Sequence, residues 1–101
     1  MAICMVFTPP KSLFTKETYD KVMDYLGDRF PPPNMKMHLM GQTEAGEMRI
    51  VDVFDSAEEF KQFAESHGPA YEAMGITVED VLKHASIFEI DKTILQAKWS
   101  L

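Results

Sequence analysis

The stretch Met48 to Phe63, MRIVDVFDSAEEFKQF, limits the possible folds more than any other, because it passes directly from a β pattern into a helical one. Ile50, Val51, Val53 and Phe54 are β-branched or aromatic and nearly contiguous, which suits a strand covered on both faces. Ser56, followed three residues later by Glu59, has the form of a capping box that ties off free amides at a helix start. Phe60, Phe63 and Ala64 then recur at helical spacing. Asp52 interrupts the apolar run. A carboxylate in that position has to be neutralised, paired or set in a polar cavity, since isolated buried charge is costly.

The remaining elements are arranged around this unit. Ile3 to Phe7 reads as a first strand, ended by Pro9-Pro10 because proline has no amide proton for the ladder. Thr15 is the expected cap of a first helix, with Phe14 and Tyr19 at the two positions of a hydrophobic staple. Tyr19, Val22, Met23, Leu26 and Phe30 form one apolar stripe opposite Lys16, Glu17, Asp20, Lys21 and Asp24. Pro31-Pro32-Pro33 then makes a stiff connection to a second strand, Met35 to Met40. A loop over Gln42 to Gly46 sets Gly41 opposite Glu47 and His38 opposite Ile50. In that register His38 and Asp52 share a face, and a one-residue slip would separate them.

Beyond the Ser56 helix, Gly68-Pro69 reads as a stop, followed by a short helical piece over Ala70 to Met74 that Gly75 closes. Thr77 with Asp80 resembles another cap, with Val78, Val81 and Leu82 around a turn. Ile87, Phe88 and Ile90 supply a fourth strand. Thr93 to Leu101 keeps Ile94, Leu95, Trp99 and Leu101, too apolar for a disordered end, so this tail is expected to dock on the domain or on a partner subunit. The order is β-α-β-β-α-β, the ferredoxin-like arrangement of a single α+β domain over residues 1–101 with a four-stranded antiparallel sheet. Apolar residues of both parities in the strands imply that a second copy covers the free sheet face, giving a homodimer.

Charge narrows the partners. With 10 basic and 16 acidic side chains the net charge is −6, which argues against nucleic acid and against an anionic membrane surface. The single Cys4 cannot form an intrachain disulfide, and a small chain without a cysteine framework suggests a cytoplasmic protein. The apolar opening Met1 to Phe7 is too short for a signal-peptide core or a membrane span. Eight methionines suit either an irregular core or an adaptable pocket. Sequence patterns for dinucleotides, phosphates, redox dithiols or a serine nucleophile are absent.

The His strand Met37-His38-Leu39, a glycine-containing hairpin, and then Arg49-Ile50-Val51-Asp52-Val53-Phe54-Asp55-Ser56-Ala57-Glu58-Glu59-Phe60 with Phe63 resemble the dimeric α+β barrel proteins, particularly the antibiotic-biosynthesis-monooxygenase-like group. The resemblance implies two facing four-stranded sheets, with a ligand cavity between each sheet and its own helices. It implies no single reaction, because related barrels include cofactor-independent oxygenases, polyketide cyclases, haem-degrading enzymes and lactone isomerases. The Asn, Trp and Arg set of the quinone-forming oxygenases finds no match here, and no haem pattern accompanies His67.

Four polar residues are the candidates for such a cavity: His38 and Asp52 from the sheet, His67 and Tyr71 from the second helical region. A base that removes a proton from a phenol, enol or β-diketone, with donors to hold the oxyanion, prepares either reaction with dioxygen or internal cyclisation. His supplies a base near neutral pH, Asp52 its orienting carboxylate, and Tyr71 a donor. Each has a structural alternative. His38 suits a satisfied strand histidine, His67 a helix-end residue favoured by the dipole, Asp52 a partner of Lys36 or Arg49, and Tyr71 a packing residue with a wet hydroxyl. His84 suits the surface. His38, Asp52 and His67 lack the close spacing of a metal set, so neither metal nor cofactor is expected. The reading is a homodimer that binds a small apolar or aromatic molecule and acts as a cofactor-independent monooxygenase or a cyclase, or binds without catalysis.

Overall fold

The computed structural model describes residues 1–92, and the tail from Thr93 to Leu101 lies outside the described residues. The strand-to-helix stretch becomes β3, Met48–Phe54, followed by the longest helix. Met48, Ile50, Asp52 and Phe54 are all buried, while Arg49, Val51 and Val53 between them are half-buried. Strand β1 (Ile3–Phe7) pairs antiparallel with β3 and with β4 (Ala85–Glu89), and β2 (Met35–Gln42) pairs with the other side of β3. The sheet order β2-β3-β1-β4, with the helices between strands, is the ferredoxin-like α+β fold expected from the element order.

Helix α1 (Lys16–Leu26) starts at the expected cap, where Thr15 and Thr18 satisfy each other's free amides. It stops earlier than the apolar stripe suggested. Gly27, at φ 54, takes the chain into a 3-10 turn over Gly27–Arg29, and Phe30 packs from outside the helix. Left-handed backbone is where glycine meets no steric penalty, so the break falls there and not at the prolines.

Helix α2 (Ala57–Glu72) corrects a second expectation, because it runs unbroken through Gly68 and Pro69. Proline in a helix interior loses its bond to the carbonyl four residues back, here exposed Glu65, which water can satisfy. Gly68 has no side chain to meet the proline ring, and a Cβ there would sit 3.4 Å from Val78 Cγ2. Burial of Phe63, His67 and Ala70 along one continuous face outweighs the local breakers. The Ser56 cap is half of the expected box: its hydroxyl accepts from the Glu59 amide at 3.2 Å, but the Glu59 side chain does not return the bond. Helix α3 (Val78–Lys83) has the complete box, Thr77 with Asp80, and His84 follows it into β4.

The β2–β3 register also differs from expectation. Gly41 lies opposite Arg49 and His38 opposite Asp52, so the connection is Thr43 to Glu47 and the pairing is shifted by two residues. Thr43 fixes it: its amide donates to the Glu47 carbonyl at 2.9 Å, its hydroxyl accepts from the Glu47 amide at 3.1 Å, and its carbonyl accepts from Gly46 at 2.8 Å. An even shift preserves the face of every side chain.

His38, Asp52, Met5 and Ile87 form one row across all four strands on the helix side. Below it, Phe7, Phe14, Val22, Leu26, Met48 and Ile50 form the main core. The opposite face carries the rows Met37, Val53, Cys4, Phe88 and Leu39, Val51, Val6, Ser86, and no described element covers it. Among the described residues no helix is long and apolar enough to cross a membrane.

Candidate functional site

Asp52 is 3% exposed, in the middle of the central strand β3, and its problem of buried charge is solved by the residue directly opposite. His38 Nδ1 lies 2.5 Å from Asp52 Oδ1. The other ring nitrogen, Nε2, lies 2.7 Å from the hydroxyl of Tyr19, which reaches down from α1. Tyr19 stacks on the imidazole at 5.9 Å between centroids, and Phe30 meets it edge-on at 4.9 Å. Burial, with the Asp52 and then the Asp20 charge adding to it, pushes the Tyr19 pKa up, so the phenol keeps its proton. A hydroxyl donating to Nε2 leaves the neutral ring's proton on Nδ1, where it donates to Asp52. Lys36 and Arg49, the alternative partners of Asp52, are engaged elsewhere: Lys36 with Asp55 at 3.2 Å and Arg49 with Glu47 at 3.5 Å.

Asp52 has a second neighbourhood. A cavity of about 40 Å³ lies between the sheet, α2 and α3, lined by Met5, Phe7, Ile50, Phe60, Phe63, Ala64, Val78, Val81 and Leu82, with Asp52, His67 and Tyr71 as its ionisable groups. That is room for about three water molecules, so a ring-sized ligand requires side chains at the α3 wall to swing out. Burial, then the negative charge of Asp52, pushes the Tyr71 hydroxyl well above the usual phenol range. Tyr71 therefore remains a neutral donor at any physiological pH. Its ring stacks on Phe14 at 6.2 Å, which holds it against the core.

His67 is buried in mid-helix, not at a helix end, and replaces the dipole role with a tether. Its Nε2–H donates to the Arg29 carbonyl at 3.3 Å, and Nδ1 lies 2.7 Å from the Ser66 hydroxyl, which is also within 3.2 Å of the Phe63 carbonyl. The ring stacks on Phe63 at 4.5 Å and forms a wall shared by the inner cavity and an outer cleft of about 430 Å³ bounded by Arg29, Pro32, Asn34, Glu59 and Gln62.

Of the four sequence candidates, then, Asp52, His67 and Tyr71 meet at one cavity. His38 stands behind Asp52, outside the lining, with both ring nitrogens engaged. Among the described residues no three histidine, cysteine, aspartate or glutamate side chains group to hold a metal ion. Tyr19 is the participant that sequence reasoning assigned only to packing. Its staple position and its place in an apolar stripe are equally compatible with a phenol aimed at solvent, and nothing local reveals the histidine it meets nineteen residues later.

No family model matches the chain, and no curated protein matches it. Among solved structures the fold is similar to that of Rv0793 from Mycobacterium tuberculosis, with 11% sequence identity, a TM-score of 0.55, and coverage of 96% of this chain and 97% of that one. A likeness at this identity speaks for the fold alone. The described residues thus form a small ferredoxin-like α+β fold.

Proposed function

We propose that this protein is a homodimeric α+β barrel whose Asp52 cavity takes a proton from a small, largely apolar phenol or enolisable ketone, without a cofactor. The observation that carries the reading is the chain Tyr19–His38–Asp52, which delivers an oriented carboxylate to the wall of a mostly apolar cavity that also holds His67 and Tyr71. Asp52 faces the substrate and receives its proton. His38 donates to Asp52 through Nδ1 and fixes the carboxylate's orientation, so the histidine positions the base where the sequence suggested it would act as base. Tyr71, held neutral by burial, donates to the oxyanion that forms.

The resulting electron-rich anion can react with dioxygen. For an anthrone, whose enolate resembles a polyketide anion, one oxygen atom enters at the methylene carbon to give the quinone and the other leaves as water with the two hydrogens lost from that carbon. The balance needs no reductant. An enolate with an internal carbonyl would cyclise by the same first step, and dioxygen uptake distinguishes the two outcomes.

Dioxygen uptake with anthrone as the probe tests this. The wild-type chain should exceed the spontaneous rate, and Asp52→Asn should lower the enzymatic rate by about 10²- to 10⁴-fold. No acceleration by the wild type, or full activity in Asp52→Asn, would rule out the proposed base. A second reading draws on the same geometry. With both nitrogens of His38 engaged and a cavity of only about 40 Å³, the network serves as a strut between α1 and the sheet in a non-catalytic dimer. Under that reading Asp52→Asn changes stability and leaves oxidation at the spontaneous rate throughout.

A further inference from the structure

Outside the cavity, α2 and α3 enclose an apolar surface groove of about 310 Å³. Phe60, Ala64, Val78 and Leu82 form its floor and walls, and Lys61 and Glu65 stand at its rim. Leu82 is 46% exposed, and so is Ile87 on the helix side of the neighbouring edge strand β4. An apolar depression flanked by exposed large side chains marks a surface that something covers.

We infer that the occupant is the chain's own segment 93–101, seated with Trp99 in the groove. Its composition fits: Ile94, Leu95, Trp99 and Leu101 supply apolar surface, and Trp is the side chain that gains most from such a concave site. Lys98, next to Trp99, brings an ammonium to a rim that carries Glu65.

The geometry of departure fits as well. Just past β4, the Ile90 amide donates to the Ala2 carbonyl at 2.8 Å, beside Ile3, which lies opposite Phe54. Phe54 leads at once into the Ser56 cap of α2, so the chain leaves the sheet beside the start of the helix that forms one groove wall. From Ala57 to Ala64 the helix rises about 10 Å. A nine-residue segment reaches up to about 30 Å when extended, enough to run the length of the groove and seat its far end. The seat does not depend on any chemistry at Asp52, although Phe60, Ala64, Val78 and Leu82 also line the inner cavity.

Trp99 is the single tryptophan of the chain and reports its own seat. The experiment measures emission maximum and acrylamide quenching of the full chain across a dilution series, with circular dichroism as the check on folding. The wild type should show blue-shifted emission and quenching several-fold weaker than free N-acetyltryptophanamide, both unchanged on dilution. Leu82→Asp should shift the emission red and raise quenching several-fold, whereas Leu39→Asp on the far sheet face should leave both signals alone. If Leu82→Asp loses its helical signal, Val78→Lys reads the same outcome. Emission of an exposed indole in the wild type overturns the inference. So does a blue shift that survives Leu82→Asp, which places Trp99 elsewhere, or one that fades on dilution or in Leu39→Asp, which places it on a second copy.

Discussion

His38 spends one nitrogen on Asp52 and the other on Tyr19, and the two bonds are not equivalent. Removing the imidazole strands a carboxylate that is 3% exposed, and an unpaired charge in the interior costs far more than a lost neutral bond. Tyr19→Phe removes only a hydroxyl and leaves the ring stack in place. His38→Ala should therefore lose about 3 kcal/mol or more of unfolding free energy, and Tyr19→Phe about 1 kcal/mol, read from urea denaturation. Equal losses would mean that the phenol, not the carboxylate pair, holds this part of the core. That His38 and Asp52 share a face was legible in the sequence because strand parity survives an even slip in register, whereas their direct opposition came only with the true register. Tyr19 was not, since a residue in an apolar helical stripe has the same local pattern whether its hydroxyl meets water or a histidine from a distant strand.

At the scale of elements, caps were easier to read than breaks. Thr15, Ser56 and Thr77 each start a helix as expected, because a cap is a local bond between a side chain and a nearby amide. Gly68-Pro69 looked like a stop by the same local logic, but α2 continues because His67 and Ala70 on either side are buried on the face that also buries Phe63. Tertiary burial is invisible to a local pattern, and it also explains why His67 tethers the Arg29 turn in place of capping a helix end. Pro69 is exposed, and its ring only interrupts the helix ladder. Pro69→Ala restores the missing amide and should raise stability by about 1 to 3 kcal/mol, measured by the urea midpoint at unchanged slope. A loss of stability instead would show that α2 needs the interruption to bring Tyr71 and α3 onto the sheet.

At the scale of the molecule, helices cover one sheet face, and among the described residues no element covers the other. Met37, Leu39 and Phe88 are 40%, 49% and 52% exposed on that open face, in line with Cys4, Val6, Val51 and Val53. Their alternation with core residues was visible in the sequence as apolar residues of both parities, whereas the edge positions of β2 and β4 among the described strands became visible only with the strand order. A sheet with two apolar faces is stable in water when both are packed, and facing sheets about 10 Å apart interdigitate their side chains. The proposed dimer supplies the second layer with the same surface, which suits a two-fold contact because each copy presents the patch its partner needs. Light scattering on the eluting protein should give twice the chain mass of 11.5 kDa at micromolar concentration. Leu39→Asp places a charge in the middle of the proposed contact and leaves the helix-side core untouched, so it should give a folded species of single-chain mass with unchanged circular dichroism. A wild-type monomer at those concentrations would remove the facing-sheet barrel. A dimer that persists in Leu39→Asp would move the contact to another surface, such as the β2 or β4 edge, which no strand among the described residues pairs.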